Sequence, residues 1–550
     1  MRKRKKAGAE KIPSSDPLPE PALPPSPPER WPLAAALAAV LIFHLPALVV
    51  PFQYDDFHHL ADNPAIVGLA GIPRLWTDPN SYSAIPGAAG LYRPLLMTSH
   101  ALTVALFGRG SFGFHLVNLL LHLFNVGIAC SLFRKWGAPD RAAAMAAAFF
   151  GLAAVNQETV AYAAARSTLL ASAFGLGAVR IAEEKASGPR AAACGLCLLL
   201  ALWSKEIAAV VLAFFLIRDL TTGRPGAFRE RAPYYAAAMA ALAVYLMARL
   251  QMVPALPETY TGRWGYFGGQ GRVIAYYLVK SLWPVGLTIY RGLPVSGGAA
   301  LDLLGWVALL VPAAAALWSR KKLGLTALGW LWFLAGFSVT SSVFPLILTS
   351  SLERVYLPSI GLAALGLEVW RHGFADTERA RTGAALFAAV ILLNGLTTFD
   401  LHREWASAEK MWRRAVRTAP DAGMTWLWLG RTEVEAEQFD RAESRLRKAL
   451  ALEPDDAYTQ MAMADLLQRT GRTEGARSIW SRAVRSGGPG EALQLESLLG
   501  LAGLDLDAGR LQEARVKALK ALEYYPDSPD ANFIGGVIAS RMGDLVAAES

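Results

Sequence analysis

The sequence predicts an all-α protein in which a membrane domain of about eleven helical spans is followed by a solenoid of repeated helix pairs. Of the 550 residues, 53% are hydrophobic and only 18% are charged, and the mean hydropathy is +0.30. Long Ala, Leu, Val and Phe runs fill residues 31–400, whereas residues 401–550 are charged and amphipathic. Because this composition is too apolar for an ordinary soluble protein, we divide the chain into a membrane domain, 31–400, and a soluble domain, 401–550.

The N-terminal residues 1–30 begin with MRKRKK and continue into a Pro-rich stretch. Such a sequence cannot bury a core, so it is expected to be a disordered tail. The apolar segment 31–52 that follows is long enough to cross a bilayer, and the basic cluster before it should keep the tail cytoplasmic. The first outer loop, 52–111, is therefore expected on the non-cytoplasmic side.

The positive-inside rule, applied at each turn of the chain, gives about eleven spans and leaves the C-terminal domain on the non-cytoplasmic side. The predicted spans are 31–52, 112–133, 142–155, 159–181, 191–203, 207–217, 233–250, 302–318, 324–343, 355–370 and 382–399. Two further apolar segments, 92–107 and 272–288, carry polar or proline interruptions and are predicted to be interfacial or re-entrant helices. The predicted protein is a multi-pass membrane protein that contacts membrane lipids.

The basic residues and the cysteines each exclude a class of function. The formal charge of +9 does not indicate nucleic-acid binding, because many basic residues flank apolar runs as topology signals. Cys130, Cys194 and Cys197 lie inside apolar runs and have no second ligand pair nearby. They are predicted to be small buried residues, with no disulfide framework and no zinc site.

The C-terminal domain contains a repeat of about 34 residues. Ala415, Ala449, Ala483 and Ala521 recur at spacings of 34, 34 and 38 residues. The stretch from Thr425 to Asp456 matches the tetratricopeptide pattern at Trp426, Leu429, Gly430, Ala442, Leu446, Ala449 and Pro454. Stacked helix pairs of this kind form a superhelix whose concave face usually binds an extended peptide or a partner protein, although such an array can also serve only to stabilise or dimerise a protein.

The stretch PFQYDDFHHLADNP, residues 51–64, places adjacent carboxylates and adjacent histidines directly after the first span. In a partly desolvated pocket, the pair Asp55 and Asp56 can have split pKa values, which leaves one group as a general base. A solvated loop or a helix cap is the alternative. Asp55, Asp56, His58 and His59 also offer metal ligands, but a contiguous cluster rarely closes on one ion, so a divalent metal is considered and no metal site is predicted.

Polar residues also lie on one face of the predicted span 112–133. His115, Asn118, His122 and Asn125 follow one another at spacings of 3, 4 and 3 residues. Since polar groups at bilayer depth are costly, they usually face the protein interior. Hydrogen bonding between helices is the favoured interpretation, and contact with an acceptor or another ligand is the alternative.

Most of the remaining charged residues in apolar surroundings are predicted at the outer ends of spans. They are Arg93, Glu158, Lys205, Glu206, Glu353 and Arg354, with Arg166 about two helical turns inside the boundary. This is the side on which Asp55 and Asp56 are expected. The convergence predicts an outward-facing site with carboxylates for an acceptor and cations for a phosphate.

The chain resembles the GT-C-type membrane glycosyltransferases, and most closely the TMTC-like (transmembrane and tetratricopeptide-repeat-containing) protein O-mannosyltransferases. The matching stretches are YDDF with Asn63-Pro64, YRPLLMTSHALTVALFG, GFHLVNLLLHLFNV, ETVAYAAARSTLLAS, LWSKE and LERVYLPSIG, together with the repeats. The family pattern often has His-Pro-x-His before the second-loop acid, where this chain has Ala153-Ala154-Val155-Asn156. This departure leaves the sugar unassigned.

The resemblance implies a GT-C-like membrane domain and a polyprenyl- or dolichyl-phosphate-linked sugar as the donor. It implies an inverting transfer on the outer face, with a protein Ser or Thr hydroxyl as the acceptor. Asp55 matches the family's catalytic carboxylate, Asp56 its companion and Glu158 the second-loop acid. The donor phosphate pocket would be lined by Arg166, Lys205 and Arg354, and the outer-end position of Arg93 adds it to this set.

The hypothesis is therefore an O-mannosyltransferase-like enzyme of the bacterial inner membrane with periplasmic repeats, or of the ER membrane in a eukaryote. No Gly-rich nucleotide-binding loop was found, which agrees with a lipid-linked donor. A non-catalytic membrane scaffold that uses its repeats to assemble an envelope or secretion complex is the alternative. A transporter or polymerase of lipid-linked saccharides is a third hypothesis.

Overall fold

The computed structural model describes residues 29–84, 91–222, 226–253, 263–342, 346, 348–373, 377–486, 491–524 and 528–543. Within these ranges every regular element is a helix. The predicted tail lies almost wholly outside them, as do residues 544–550. The predicted all-α fold with C-terminal helix pairs is confirmed.

In the described part of the chain, fifteen α-helices precede the repeats. They are α1 Trp31–His44, α2 Ile72–Thr77, α3 Pro94–Phe107, α4 Ser111–Lys135, α5 Asp140–Leu152, α6 Gln157–Ala161, α7 Arg166–Ala182, α8 Gly188–Ser204, α9 Val211–Thr222, α10 Ala227–Met252, α11 Arg263–Leu282, α12 Ala299–Trp318, α13 Gly324–Ala335, α14 Tyr356–Gly373 and α15 Thr377–Trp405. Helices begin and end close to the predicted apolar segments because charged residues, prolines and glycines separate those segments.

Five helical segments in the described part of the chain are long and apolar enough to cross a membrane. They are Trp31–Val49, Ser111–Lys135, Ala227–Met252, Ala299–Trp318 and Arg381–Trp405. Helices α8 and α13 are apolar but shorter. At 1.5 Å per residue, the 13 residues of α5 reach about 20 Å, which is less than the hydrocarbon thickness of about 30 Å. The count of about eleven spans therefore stays a prediction.

The segment predicted as one span from 159 to 181 is broken near its N-terminal end. Helix α6 ends at Ala161, a short 3₁₀ turn covers Ala163–Ala165, and α7 begins at Arg166. Arg166 was predicted about two helical turns inside this span, but it is the first residue of α7. The break turns Glu158 and Arg166 towards different neighbours.

The core of the membrane domain is built around α5. Nearly every residue from Ala142 to Leu152 is buried, and α5 packs against α1, α4, α14 and α15. Small Ala side chains allow this close approach of helices.

Eight helices that pack in consecutive pairs are described in the C-terminal domain, between residues 408 and 542. They are α16 Ala408–Thr418, α17 Gly423–Glu435, α18 Phe439–Leu452, α19 Ala457–Arg469, α20 Thr473–Ser486, α21 Glu491–Asp507, α22 Leu511–Tyr524 and α23 Pro529–Met542. Ala442, Ala449, Ala464, Ala476 and Ala514 are all fully buried between neighbouring helices. The first of these helices also packs on the membrane domain: Trp412 and Met411 share a cluster with Val50 and Ala161.

Candidate active site

The first outer loop turns sharply at Tyr54. This residue has a left-handed backbone, with φ of +48°, which is uncommon for a residue other than glycine. Its ring lies edge-on to Trp412 and Trp428 of the repeats at 5.3 and 5.4 Å between ring centres. Its buried hydroxyl has no hydrogen-bond partner among the described residues. Burial, Glu158 and Asp55 raise the pKa of Tyr54 well above its usual value, so this hydroxyl lies close to two carboxylates.

Asp55 and Asp56 have opposite environments. Asp56 is fully buried, and its carboxylate accepts hydrogen bonds from the backbone amides of Ala164 at 2.7 Å and Gln53 at 3.1 Å. Burial raises the pKa of Asp56 to about 7, although these amides oppose the shift. Asp55 instead has a side chain that is 58% exposed. Asp56 therefore holds the loop against the turn before α7, while Asp55 faces outwards.

His58 and His59 lie beside Asp55 in a π-helical turn, Phe57–Ala61. Nε2 of His58 is 3.2 Å from Oδ1 of Asp55. Partial burial opposes the change, but the His58 hydrogen bond and the neighbouring His59 together lower the pKa of Asp55 below its usual value. Burial lowers the pKa of His59 to about 4. One ligand atom from each of these three residues lies within 4.8 Å of the others, so the structure brings together three of the four metal-ligand candidates.

Arg93 and Glu206 form a close ion pair behind the histidines. Nη2 and Nε of Arg93 donate to the two carboxylate oxygens of Glu206 at 2.7 and 3.1 Å, and Nη1 donates to the Tyr82 hydroxyl at 3.1 Å. Burial opposes the shift, but Arg93 holds the pKa of Glu206 at about 2. Arg93 is thus bound in the described structure by a carboxylate and a tyrosine.

Lys205 forms a second pair with Glu353. Its ammonium group donates to Oε1 of Glu353 at 3.0 Å and to the Thr168 hydroxyl at 2.9 Å. An ammonium carries three donors, so one remains for a further ligand. Burial opposes the shift, but Lys205 lowers the pKa of Glu353 below its usual value.

Glu158 is the least satisfied carboxylate in the site. Its side chain is largely buried, Oε1 accepts from the Ser351 hydroxyl at 3.3 Å, and Oε2 has no partner within the described residues. Burial and the nearby charge of Glu353 raise the pKa of Glu158 to about 8. Glu158 is therefore mainly protonated at neutral pH, when it can donate a hydrogen bond.

Arg354 differs from Arg93 and Lys205 because its bonds are to neutral oxygens. Its guanidinium donates to the carbonyls of Leu348 at 2.7 Å and Thr349 at 3.1 Å. Its charge helps to lower the pKa values of Glu158 and Glu353, but no ion pair to Arg354 was found in the described part of the chain. Its positive charge is therefore less compensated than those of Arg93 and Lys205, which are bonded to carboxylates.

We call Asp55, Arg93, Glu158, Lys205, Glu206, Glu353 and Arg354 the outer cluster. Four of its charges lie within electrostatic range of Tyr82, whose pKa is raised mainly by burial. Arg93 lowers this pKa, whereas Glu206, Asp55 and Glu353 raise it. The structure thus brings together residues from five separate segments, as the sequence predicted. Two of the cluster's three cations, Arg93 and Lys205, form ion pairs with carboxylates, and the sequence did not predict these pairs.

Arg166 is separated from this cluster by its own hydrogen bonds. It is fully buried and donates to the Asn118 side chain at 2.8 Å, the Thr103 hydroxyl at 2.7 Å and the Phe114 carbonyl at 2.9 Å. These contacts join α3, α4 and α7. Its predicted role in phosphate binding stays a prediction, while its observed role is to connect helices.

The polar face of α4 is buried between helices. Asn118 donates to the carbonyl of Tyr162, and His122 lies 2.7 Å from the Tyr356 hydroxyl and 2.9 Å from the Gly151 carbonyl. Asn125 donates to the same tyrosine at 3.2 Å. His115 is buried, and neither ring nitrogen has a hydrogen-bond partner in the described structure. Three of the four residues thus form the interhelical hydrogen bonds that the favoured interpretation requires.

Aromatic residues surround the outer cluster, and the sequence did not predict their place there. The Tyr162 hydroxyl accepts a hydrogen bond from the backbone amide of Asp55 at 3.2 Å. Trp412 and Trp428, which stack on each other at 5.8 Å, cover Tyr54 from the side of the repeats. Tyr162 lies within ETVAYAAAR, a stretch that already carries the resemblance, so this motif could have indicated it. The two tryptophans had no such signal.

Comparison with known proteins identifies the repeats. Tetratricopeptide-repeat family models match residues 400–457 and 433–499. These matches cover α16 to α20 and the first part of α21. The repeats predicted from the Ala and Pro spacing are confirmed.

The chain is also similar to one curated protein and to solved structures. It is 23% identical to human protein O-mannosyl-transferase TMTC3 over 209 residues, which are 36% of this chain and 23% of that protein. The chain thus matches less than a quarter of that relative's length. A structure of ArnT from Cupriavidus metallidurans bound to undecaprenyl phosphate has 16% identity and a TM-score of 0.42, and covers 83% of this chain and 80% of ArnT. Its apo form has 15% identity and a TM-score of 0.40, with coverages of 81% and 77%. The similarity to TMTC3 agrees with the TMTC-like resemblance identified from the motifs.

Proposed function

We propose that this protein is a membrane glycosyltransferase that transfers a sugar from a polyprenyl- or dolichyl-phosphate-linked donor to a protein Ser or Thr hydroxyl on the non-cytoplasmic face. The observation that carries the proposal is an accessible carboxylate, Asp55, in a cluster of buried cations and acids. The similarity to TMTC3, which is named as a protein O-mannosyl-transferase, supports the reaction class. Mannose is the sugar this similarity favours.

Asp55 is the proposed general base. Its carboxylate is exposed, whereas both oxygens of Asp56 accept backbone amides in the interior. A base must reach the hydroxyl whose proton it takes, so accessibility decides between the two. Asp56 acts as a positioning residue that fixes the backbone from which Asp55 projects.

Lys205 and Arg354 are the proposed ligands of the donor phosphate. Lys205 has a third donor beyond its bonds to Glu353 and Thr168, and the charge of Arg354 has no ion-pair partner in the described residues. Arg93 is held by both oxygens of Glu206, so it contributes mainly through its charge. Fixed cations of this kind stabilise the negative charge that develops on a leaving phosphate.

The reaction that follows is an inverting displacement. Asp55 takes the proton of the acceptor hydroxyl while the hydroxyl oxygen forms a bond to the anomeric carbon of the sugar. The bond between that carbon and the phosphate oxygen breaks, and the polyprenyl phosphate leaves with the electron pair. Glu158, when protonated, is placed to donate a hydrogen bond to the donor.

The repeats are proposed to bind the acceptor or a partner protein. A cavity of about 490 Å³ lies among α17, α19, α20 and α21, and its lining includes Arg431, Tyr458, Asp465, Trp480 and Glu496. Because Trp412 and Trp428 of the first repeat helices pack on Tyr54, a segment bound along the repeats would lie close to the first outer loop. In a bacterium this face would be the periplasm, and in a eukaryote the ER lumen.

The test is sugar transfer in membranes that contain the full chain, with a defined polyprenyl-phosphate mannose and a Ser/Thr-containing peptide. We expect Asp55→Asn to lower the transfer rate about 10²- to 10⁴-fold, the usual contribution of a general base. Asp62→Asn removes an exposed carboxylate from the same loop and should leave the rate unchanged. Full activity in both Asp55→Asn and Asp56→Asn would refute the proposal.

The same membranes separate the alternatives. A transporter would move the lipid-linked sugar between leaflets without forming a glycosylated product. A scaffold would restore a deletion phenotype when expressed with the Asp55→Asn substitution, because its function would reside in the repeats. Either result would replace the transferase assignment.

A further inference from the structure

The two histidines of the first outer loop have no role in the proposed transfer, yet a ring nitrogen of each lies within 4.8 Å of a carboxylate oxygen of Asp55. We infer that Asp55, His58 and His59 form a binding site for one divalent transition-metal ion of the zinc class. One carboxylate oxygen and one nitrogen from each imidazole already lie within 4.8 Å of one another. Asp56 is not a ligand, since its oxygens accept the amides of Ala164 and Gln53.

The spacing of the ligand atoms fits this kind of ion. Two ligands on a tetrahedral zinc, with bonds of about 2.0–2.1 Å, lie about 3.3 Å apart. Oδ1 of Asp55 and Nε2 of His58 are 3.2 Å apart. The widest separation, 4.8 Å, closes to the same spacing through side-chain shifts of about 1.5 Å.

Both imidazoles are oriented by contacts on their other nitrogen. Nδ1 of His58 lies 2.9 Å from the Ser83 hydroxyl, and Nδ1 of His59 lies 3.0 Å from the Tyr82 carbonyl. A carbonyl can only accept, so Nδ1 of His59 carries the proton and Nε2 presents a lone pair. Metal-binding histidines are oriented in this way by outer-shell partners. The hydrogen bond between Asp55 and His58 does not explain why His59 is oriented as well.

The backbone around the three residues is fixed by a second segment. The amide of Ala84 donates to the His58 carbonyl at 2.7 Å, and the Asn63 side chain donates to the Ser81 carbonyl at 3.1 Å. These bonds hold the turn Phe57–Ala61 against residues 81–84, which also supply both outer-shell partners. The ligands are thus preorganised by contacts that lie outside the proposed ligand set.

The donor set selects the ion. Two imidazoles and one carboxylate suit zinc, cobalt or iron, whereas magnesium and calcium prefer oxygen ligands throughout. Three protein ligands leave a position open for water or another ligand, as in catalytic zinc sites. One oxygen of Asp55 would bind the ion, and the other would remain free to face the acceptor.

Metal binding by the purified full chain tests the inference directly. The protein, prepared in detergent with an affinity tag that contains no histidine, is stripped with a chelator and titrated with Zn²⁺, and with Co²⁺ for its visible absorption. We expect one ion per chain and a cobalt spectrum of nitrogen and oxygen ligands without thiolate bands. His58→Gln and His59→Gln should abolish the spectrum, and Ser83→Ala should weaken binding about 10- to 100-fold.

Asp62→Asn is the matched control in the same loop and should bind as the unchanged protein does. Thermal unfolding of each variant distinguishes loss of the site from loss of the fold. Binding that persists in the double variant His58→Gln/His59→Gln, or no binding by folded protein, would overturn the inference. The site shares Asp55 with the proposed transfer but is measured without a donor. Asp55-dependent transfer by a protein that binds no metal would therefore refute this inference alone, and metal binding without transfer would refute only the proposed function.

Discussion

The outer cluster and a second charged cluster in the repeats contain the same kinds of residue but differ in how completely these are satisfied. In the repeats, Asp505 is 1% exposed and is surrounded by Arg477, Arg510 and Lys517 at 2.9, 2.8 and 2.5 Å. Both of its oxygens are bonded. By contrast, Oε2 of Glu158 in the outer cluster and the hydroxyl of the neighbouring Tyr54 have no partner among the described residues.

This difference separates a structural charge cluster from a candidate binding site. Buried polar atoms in native proteins are nearly always bonded, so each exception needs a reason. Around Asp505, three cations join α20, α21 and α22 and bond both carboxylate oxygens. Oε2 of Glu158 and the Tyr54 hydroxyl are buried atoms that a bound donor or acceptor could contact.

The largest contrast is expected from removing one lysine at each place. Lys205→Met should lower sugar transfer about 10²- to 10³-fold, because it removes a donor directed at the proposed phosphate site. Lys517→Met removes a cation from Asp505, which keeps two others, and should leave transfer by folded protein unchanged. Rates are measured per amount of monodisperse protein in detergent. Equal effects of the two substitutions would remove the functional distinction between the clusters.

Glu158→Gln should change how stability depends on pH. Burial and Glu353 raise the pKa of Glu158 from the usual 4.5 to about 8, so folding favours its protonated form. The stability it contributes is fully present below about pH 4.5 and is lost as the pH rises towards 8. Since glutamine does not titrate, the variant should gain stability relative to the unchanged protein over this window, by a few kcal/mol at its upper end.

Apparent Tm values of the two proteins in detergent at pH 5 and pH 8 measure this effect. A control is Glu443→Gln in the repeats, where hydrogen bonds from Arg472 and Arg447 lower the pKa of a partly exposed glutamate to about 2. That variant should show no gain between pH 5 and 8. A constant Tm difference for Glu158→Gln across the window would contradict the raised pKa.

Asp505→Asn should destabilise the repeats without affecting the chemistry. The substitution leaves three cations around a neutral side chain, and breaking a buried ion pair costs several kcal/mol. The cations have side chains that are 25–45% exposed, so water compensates part of the loss and about 2 kcal/mol is expected. Hydrogen exchange of α20 to α22 in the full chain reports the loss. A transfer defect in protein that remains folded would show that these repeats contribute to the reaction.

The fold was largely predictable because it depends on patterns that are local in the sequence. Apolar runs between charged loops indicated the helices of the membrane domain, and the 34-residue spacing of small residues indicated the repeats. The break between α6 and α7 was missed, since ETVAYAAARSTLL is apolar enough to read as continuous helix. At this break the backbone amide of Ala164 donates a hydrogen bond to Asp56, a tertiary contact that no local sequence pattern indicates.

The members of the candidate site were predicted better than their partners. Topology indicated that Asp55, Glu158, Lys205 and Arg354 share one side, but no pattern connects Lys205 with Glu353, which is 148 residues away. Likewise, nothing in the sequence indicated that His59 would be oriented by the Tyr82 carbonyl. Ion pairs and outer-shell contacts of this kind depend on tertiary packing, which a single sequence does not encode in any local spacing.

The smallest effect on transfer is expected from removing the Tyr54 hydroxyl, and it tests the contrast with the Asp505 cluster most specifically. Tyr54→Phe keeps the ring that packs on Trp412 and Trp428 and deletes an oxygen that has no partner in the described structure. Stability should be unchanged or should rise by up to about 1 kcal/mol, because a buried hydroxyl without a bond is unfavourable.

If the Tyr54 hydroxyl bonds a ligand, the KM for donor or acceptor should rise about three- to tenfold in Tyr54→Phe. This change corresponds to the loss of one hydrogen bond of about 0.7–1.4 kcal/mol. The matched control is Tyr356→Phe, because the Tyr356 hydroxyl is already bonded to His122 at 2.7 Å and Asn125 at 3.2 Å. That variant should lose stability and leave KM unchanged. An unaltered KM in Tyr54→Phe would mean that the unbonded hydroxyl beside the outer cluster is no evidence of a ligand. The contrast with the Asp505 cluster would then rest on Glu158 alone.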